Sequence, residues 1–426
     1  MTITIFLTSL LGAMAVGMPI AFALLVCGVA LMVFLGNFDT QILAQNLLEG
    51  TNNYPLMAVP FFMLAGELMN AGGISKRIIA LADALVGHVR GGLGYVAILG
   101  ALVMASISGS AVADTAALAA VLIPLMRNAG YDIARSSGLI AAGGIIAPII
   151  PPSIGFVVFG VAAQVSITKL FLAGIVPGVL MGMALWITWW LCARREAPVV
   201  EQRRFEVARL RHALVDGGWA LVLPVIIIGG MKLGVFTPTE AAVVAAVYAL
   251  LVGMFVYREL KLPKLPALML AAAKTSSVVM FLVACALVSA WLITIAEIPA
   301  EIANLLRPFM ENKVLLMLLM MALVVAVGTA LDFMPTVLIL TPVLMPVVKQ
   351  AGIDPIYFGV LFIMNNAIGL LTPPVGTVLN VVAGVAREKL DRVIKGVWPF
   401  LVAQIVLLLL FILFPQLVMV PARWFY

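Results

Sequence analysis

The sequence predicts an all-α polytopic membrane protein of two repeats, inverted relative to one another, each with a re-entrant helical hairpin and a discontinuous transmembrane helix. Composition gives the class. Of 426 residues, 64% are hydrophobic and only 10% charged, too few polar groups to cover a soluble chain of this length. Apolar runs long enough to cross a hydrocarbon core of ~30 Å recur throughout. The breaks and the duplication come from proline and glycine positions.

The first break is Ala147-Pro148-Ile149-Ile150-Pro151-Pro152-Ser153-Ile154-Gly155, in the middle of an apolar run. Proline removes a backbone donor and clashes with the carbonyl four residues back, so no helix runs through this stretch intact. In lipid such a break is tolerated only where it lines a protein-enclosed cavity. It leaves the Ala147 and Pro148 carbonyls without their usual donors. A second copy, Leu371-Thr372-Pro373-Pro374-Val375-Gly376-Thr377, follows 222 residues later. In the same register Pro124 matches Pro346, Gly130 and Asp132 match Gly352 and Asp354, and Gly174 and Pro177 match Gly396 and Pro399. Paired interrupted segments in corresponding halves point to a transporter's binding site.

Charge and rare residues exclude other classes. The net charge of +6 lies in loops, as the positive-inside rule expects, and is no nucleic-acid signature. Arg194, Arg195, Arg203, Arg204, Arg209 and Arg211 form the densest cluster, placed in the cytoplasm against lipid headgroups. Cys27, Cys192 and Cys285 have no paired spacing, and two histidines make no zinc site. No phosphate-binding G-x-x-x-x-G-K-[ST] or nucleophile elbow occurs, so neither ATP hydrolysis nor an intramembrane hydrolase is supported. The first Lys or Arg is Lys76, so the N-terminus reads as an uncleaved membrane segment rather than a signal peptide.

In chain order, residues 1–53 read as an N-terminal scaffold segment. Pro19 kinks or divides its apolar part, and 37–53 is an interfacial link. Repeat one spans 54–193. Its arm helix, 74–87, mixes Lys76, Arg77 and Asp83 with Ile and Leu and suits the interface. Its hairpin has apolar arms shorter than a crossing around the tip Ser106–Thr115, with Gly109 at the reversal. The broken helix and a crossing at 170–191 complete it. Residues 194–215 read as a basic cytoplasmic surface helix or linker, and 216–274 as scaffold helices in which Thr237 or Thr239 caps a start. Repeat two, 275–420, repeats arm, hairpin (tip Gly328–Pro335) and break. Trp424-Phe425-Tyr426 suits an interfacial belt.

If tip and break meet in each repeat, they form a cage of carbonyl and hydroxyl oxygens. Hard cations favour such ligands, and a singly charged ion such as Na⁺ needs no carboxylate ring. Asp114 and Asp332 either add charge or cap the hairpin arms. The half-helices starting near Ser153 and Val375 present amide donors that suit an anionic, carboxylate-bearing substrate. An ion channel, or a permease energised by another subunit, is the alternative.

Several motifs stand in a fixed order: Pro55 to Gly73, the tip Ser108-Gly109-Ser110-Ala111-Val112-Ala113-Asp114, Pro148 to Ser153, Phe236-Thr237-Pro238-Thr239-Glu240-Ala241-Ala242, and Gly369 to Gly376. Over essentially its whole length the chain resembles the large membrane subunit of TRAP transporters, the DctM type. The resemblance implies a sodium-coupled importer of organic acids in the bacterial inner membrane. It implies an elevator motion of a transport domain against a scaffold. It also implies a periplasmic substrate-binding protein and a separate small four-helix membrane subunit. Carried over by position, sodium falls to Ser106, Ser108, Gly109, Ser110, Gly144 and Pro148 in the first site. In the second it falls to Gly328, Thr329, Asp332, Asn366, Thr372 and Gly376. Pro151, Pro152, Ser153, Pro373, Pro374, Val375 and Thr377 face the substrate. The chain departs from the family at Ile145 and Ala147, before the first break, and at Val378, where an Asn is frequent and Asn380 follows two positions later.

Overall fold

A computed structural model describes residues 2–196, 205–329, 331–373 and 375–425. Among these residues every regular element is a helix. Seven helices are long and apolar enough to cross a membrane, and one further pair is bent by 64° at a short break.

The N-terminal run divides. Thr2–Ala15 (α1) and Ile20–Phe34 (α2) pack side by side, because Gly17 takes a φ of +85° and Pro19 opens the second helix. The Cys27 thiol donates to the Phe6 carbonyl across the pair at 3.4 Å. Residues 37–53 are not a plain link. Asp39 caps the amides of Gln41 and Ile42, and a helix, Thr40–Thr51 (α3), follows. Its Gly50 lies against Leu287.

Ala58–Ala71 (α4) and Ile74–Val86 (α5) are the bent pair. At the bend Gly72 meets the backbone of Gly253 so closely that a β-carbon would fall 3.0 Å from its Cα. The arm α5 buries Ile74, Ile78, Ile79 and Leu81. Arg77 pairs with Glu259 at 2.7 Å and lies over the Tyr257 ring at 3.7 Å, and Asp83 pairs with Arg209. The arm is therefore pinned by charge on one side and by apolar packing on the other. Such half-exposed ion pairs contribute about 0–1 kcal/mol each, so the apolar face does most of the holding.

Gly92–Ser108 (α6) and Ala111–Asn128 (α7) form the first hairpin, with Gly109 at φ +65°. Its arms are longer than the sequence reading placed them. Ile133–Gly144 (α8) and Ile154–Ala163 (α9) are the two halves of the first broken helix. Ile167–Glu196 (α10) follows, and Val207–Lys232 (α11) begins two residues after the next described residue, Phe205. In the basic stretch 194–215, residues 194–196 end α10 and 207–215 open α11; Arg203 and Arg204 lie outside the described residues. Pro238–Leu251 (α12) starts with a complete capping box between Thr237 and Glu240 and ends in a π turn, Val252–Val256. Thr237 is the cap; the Thr239 hydroxyl instead donates to the Tyr54 carbonyl. Leu265–Ile295 (α13) and the short arm Ile298–Leu306 (α14) lead to the second hairpin, Lys313–Gly328 (α15) and Phe333–Gln350 (α16). Pro355–Gly369 (α17) and Thr377–Ala386 (α18) are the second broken helix. Leu390–Leu413 (α19) ends before Pro415, and a terminal helix, Gln416–Phe425 (α20), packs back on α10. There Trp424 stays exposed; Tyr426 lies outside the described residues.

The two halves interlock. Half-helix α9 packs on hairpin arm α16, and half-helix α18 packs on hairpin arm α7. Helices α8 and α19 cross at glycine, with a β-carbon on Gly138 placed 2.6 Å from the Gly396 carbonyl carbon. Each broken helix begins with the same cap in register: Asp132 accepts from the Arg135 amide and Asp354 from those of Ile356 and Tyr357. The outer ends of the hairpins lie at opposite ends of the molecule. Gly91, which opens the first, accepts from the Trp189 indole near the Arg194 end of α10, and Arg127, at the close of α7, donates to the Ala386 carbonyl beside the start of α19. Lys313, which opens the second, donates to the Gly352 carbonyl just past its close, in a pocket lined by Ile412 and Pro415 at the far end of α19. Helix α19 has 24 residues, which at 1.5 Å per residue separates those ends by about 36 Å.

Candidate functional site

The first tip meets the first break. Gly109 lies against the Pro152 carbonyl and the Ile154 amide; only a residue without a β-carbon fits there, and its positive φ also favours glycine. Ser110 caps α7 by accepting from the Ala113 amide. The Ser108 hydroxyl donates to Asp114 Oδ1 and accepts from the Ser110 amide. Ser106 donates to the Val103 carbonyl at 2.6 Å. Everything from Ile145 to Ser153 is buried, and the Pro151–Pro152 peptide is cis.

The Pro148 carbonyl is not left open as the proline pattern suggested. The Ser153 hydroxyl donates to it while accepting from the Phe156 amide to cap α9. One serine thus closes both loose ends of the break. Pro151, Pro152 and Ser153, assigned to the substrate by sequence, are buried in this structure. Gly144 does meet the hairpin: a β-carbon on it would fall 1.7 Å from Thr115 Oγ1.

The second tip meets the second break differently. Asn366, on α17, donates to the Phe333 carbonyl at 2.8 Å, and its Oδ1 faces Gly328. Gly328 and Gly369 touch through their backbones. Thr377, in the first turn of α18, donates to Asp332 Oδ1 at 3.2 Å. Thr329 and Thr372 hydroxyls return to carbonyls of their own helices. Gly376, with φ +42°, is the residue from which α18 starts, one position later than Val375. Asn380 secures the break by donating to the Val375 carbonyl at 2.6 Å. Asp332 and Val375 are exposed and Thr377 half-buried, whereas Ser108, Gly109 and Ser153 at the first meeting point are buried. Pro373 is half-buried; Pro374 lies outside the described residues.

The donors at both tips are all oxygen, and in the first two of them are orphaned. Asp114 Oδ2 and Thr115 Oγ1 are buried with no hydrogen-bond partner. An oxygen-only set with unspent acceptors is what a hard cation requires. Thr115 escaped sequence reasoning, because nothing local marks a threonine on a small-residue helix; its partner Gly144 is tertiary. The Asn366–Gly328 contact was legible only as two residues of one cage.

Against known families the chain matches the model described as "Tripartite ATP-independent periplasmic transporter, DctM component" over residues 7–417.

The chain belongs to the DctM family.

Similar DctM-type permeases align end to end. One is the 2,3-diketo-L-gulonate TRAP transporter large permease protein YiaN of Escherichia coli, 56% identical over the full length of both chains. Another is a putative TRAP transporter large permease protein of Haemophilus influenzae, 58% identical, also over both full lengths. The sialic acid TRAP transporter large permease protein SiaM of Vibrio cholerae is 39% identical over 95% of each chain. Among solved structures, the YdaH transporter of Alcanivorax borkumensis superposes with a TM-score of 0.62 over 88% of each chain at 16% identity, a likeness of fold alone. This DctM-family chain is a multi-span transporter permease, not an enzyme.

Proposed function

We propose that this chain is the large membrane subunit of a sodium-coupled secondary importer of organic acids, sugar acids foremost. It works in the bacterial inner membrane with a small membrane subunit and receives its substrate from a periplasmic binding protein. The observation that carries the reading is that each hairpin tip packs on the broken helix of its own half, through Gly109 and Pro152 in one and through Asn366 and Phe333 in the other. Matched caps and hairpins opening at opposite ends support two inverted repeats, the architecture that alternating access uses. The interlocked hairpins and broken helices form the transport body, and α2, α4, α12 and α13 the scaffold against which it slides as an elevator. The substrate sits at the second break, near the exposed Val375 and the half-buried Thr377, where the start of α18 favours a carboxylate. The names of the relatives support the acid class: 2,3-diketo-L-gulonate for YiaN, sialic acid for SiaM, and C4-dicarboxylates for a Pseudomonas aeruginosa DctM 37% identical to this chain.

The test is uptake into proteoliposomes holding the chain and its small subunit. Sugar acids and dicarboxylates are presented on their binding protein, with and without an inward sodium gradient. Uptake that requires both sodium and the binding protein supports the reading. Sodium-indifferent, non-saturable flux assigns the chain to a pore instead.

A further inference from the structure

We infer that a cleft at the outer end of the molecule is a reception site for the hydroxylated part of a sugar acid, held there before it reaches the second break. The cleft lies between the turn at residues 53–55, the start of α12 and the turn from α9 into α10, and has a volume of about 400 Å³. Small-molecule sites occupy ~300–1,000 Å³. The inference rests on the organic-acid reading above and adds to it a second place for the same class of ligand.

Both walls are preformed. On one side the Thr239 hydroxyl donates to the Tyr54 carbonyl at 3.2 Å and fixes the turn to α12. On the other, the Val165 amide donates to the Gly160 carbonyl at 3.0 Å and Ser166 accepts from the Lys169 amide at 3.3 Å, which closes the α9–α10 turn. Between these walls Asn53 Oδ1 is buried with no hydrogen-bond partner. A buried polar atom left in that state needs an explanation, and a carbonyl oxygen can only accept, so it calls for a donor from outside the chain. Gln164 and Thr168 bring an amide and a hydroxyl to the opposite wall, and Val161 and Val165 supply apolar surface. Among the described residues no Asp, Glu, Lys or Arg lines the cleft. Uncharged donors and acceptors over apolar walls match a chain of hydroxylated carbons; the carboxylate stays in water at the rim, where Tyr54 and Gln164 are exposed. Helix α10 starts at this cleft and carries Arg194 at its far end, which the positive-inside rule places in the cytoplasm. The cleft therefore faces the side on which a periplasmic protein releases its cargo. One wall belongs to α12 of the proposed scaffold and the other to α9 of the proposed transport body, so an occupant bridges the two and leaves before they slide.

The experiment is protection of a cysteine from a membrane-impermeant maleimide. Gln164→Cys is made in the chain with its small subunit, in proteoliposomes without sodium or binding protein. The wild type, with its own three cysteines, is the blank. The probes are D-gluconate, sorbitol and succinate. Gluconate and sorbitol should each slow labelling severalfold, and succinate should not. Protection should disappear when Thr168→Val is added and survive Thr168→Ser, which keeps the hydroxyl. Where Gln164→Cys does not fold, Ser166→Cys takes its place. No protection by either hydroxylated probe, or equal protection by succinate, overturns the site and leaves the uptake result untouched. Protection by the empty binding protein in place of the sugars marks a protein-docking surface and also overturns it. Protection by the hydroxylated probes in a chain without sodium-driven uptake keeps the cleft as a polyol site and overturns the reading beneath it.

Discussion

Gly109 stands so close to Pro152 that a β-carbon would lie 2.3 Å from the proline carbonyl oxygen. Alanine there meets two penalties. The left-handed backbone costs a non-glycine residue about 1–2 kcal/mol, and the methyl group must push tip and break apart. Gly109→Ala should therefore reach the membrane in normal amount yet lose at least tenfold in sodium-driven uptake. Uptake within twofold of wild type would show that tip–break contact is dispensable.

Asn366 ties α17 to the second hairpin through the Phe333 carbonyl. Asn366→Leu removes this side-chain bond to a carbonyl in the first turn of α16, at a cost of about 0.5–1.5 kcal/mol. Its melting temperature should fall and uptake should be lost. The same substitution at Asn380, whose side chain is exposed and closes only its own break, should be milder. Equal losses at both positions would remove any special place for Asn366.

Gly138 and Gly396 cross without a side chain between them. Gly138→Val overpacks this crossing, and overpacking costs typically about 1–3 kcal/mol. The variant should melt earlier in detergent, and Gly396→Val should do the same. Combined, they should fall short of the sum, because residues in contact are not additive. A fully additive double variant would mean that the two glycines do not share one contact.

Thr237 and Glu240 form their capping box at an exposed loop. Removing an N-cap costs about 1 kcal/mol. Thr237→Ala should lower thermal stability slightly and leave sodium dependence untouched. A shifted sodium requirement would bring this loop into the transport cycle.

The skeleton of this molecule was legible because its decisive residues are backbone devices. Prolines at 148, 151, 152 and 373, and glycine at 109, announce their conformations in any context, so both breaks and the first reversal were read in place. Helix α3 has only one sequence signal, Asp39 before Thr40, within a stretch whose polarity reads as a link. The free carbonyl expected at Pro148 was wrong for a local reason: Ser153, five residues on, reaches back to it. Thr115 was beyond reach altogether, since its meaning comes from Gly144, which the chain brings to it only after a full hairpin and a turn. Nor could any sequence pattern show that Ser108 and Ser153 are buried while Asp332 and Val375 stay exposed, because that is a property of how the halves settle together.

The glycine crossing of α8 and α19 acts as a weld. It joins the first broken helix to the final membrane helix, while α9 on α16 and α18 on α7 lace the remaining parts together. On the proposed elevator motion, a body braced in this way moves as one unit. Spectroscopic rulers fixed at the two tips should read one constant separation whatever the protein is bound to, and only their depth relative to α12 and α13 should change.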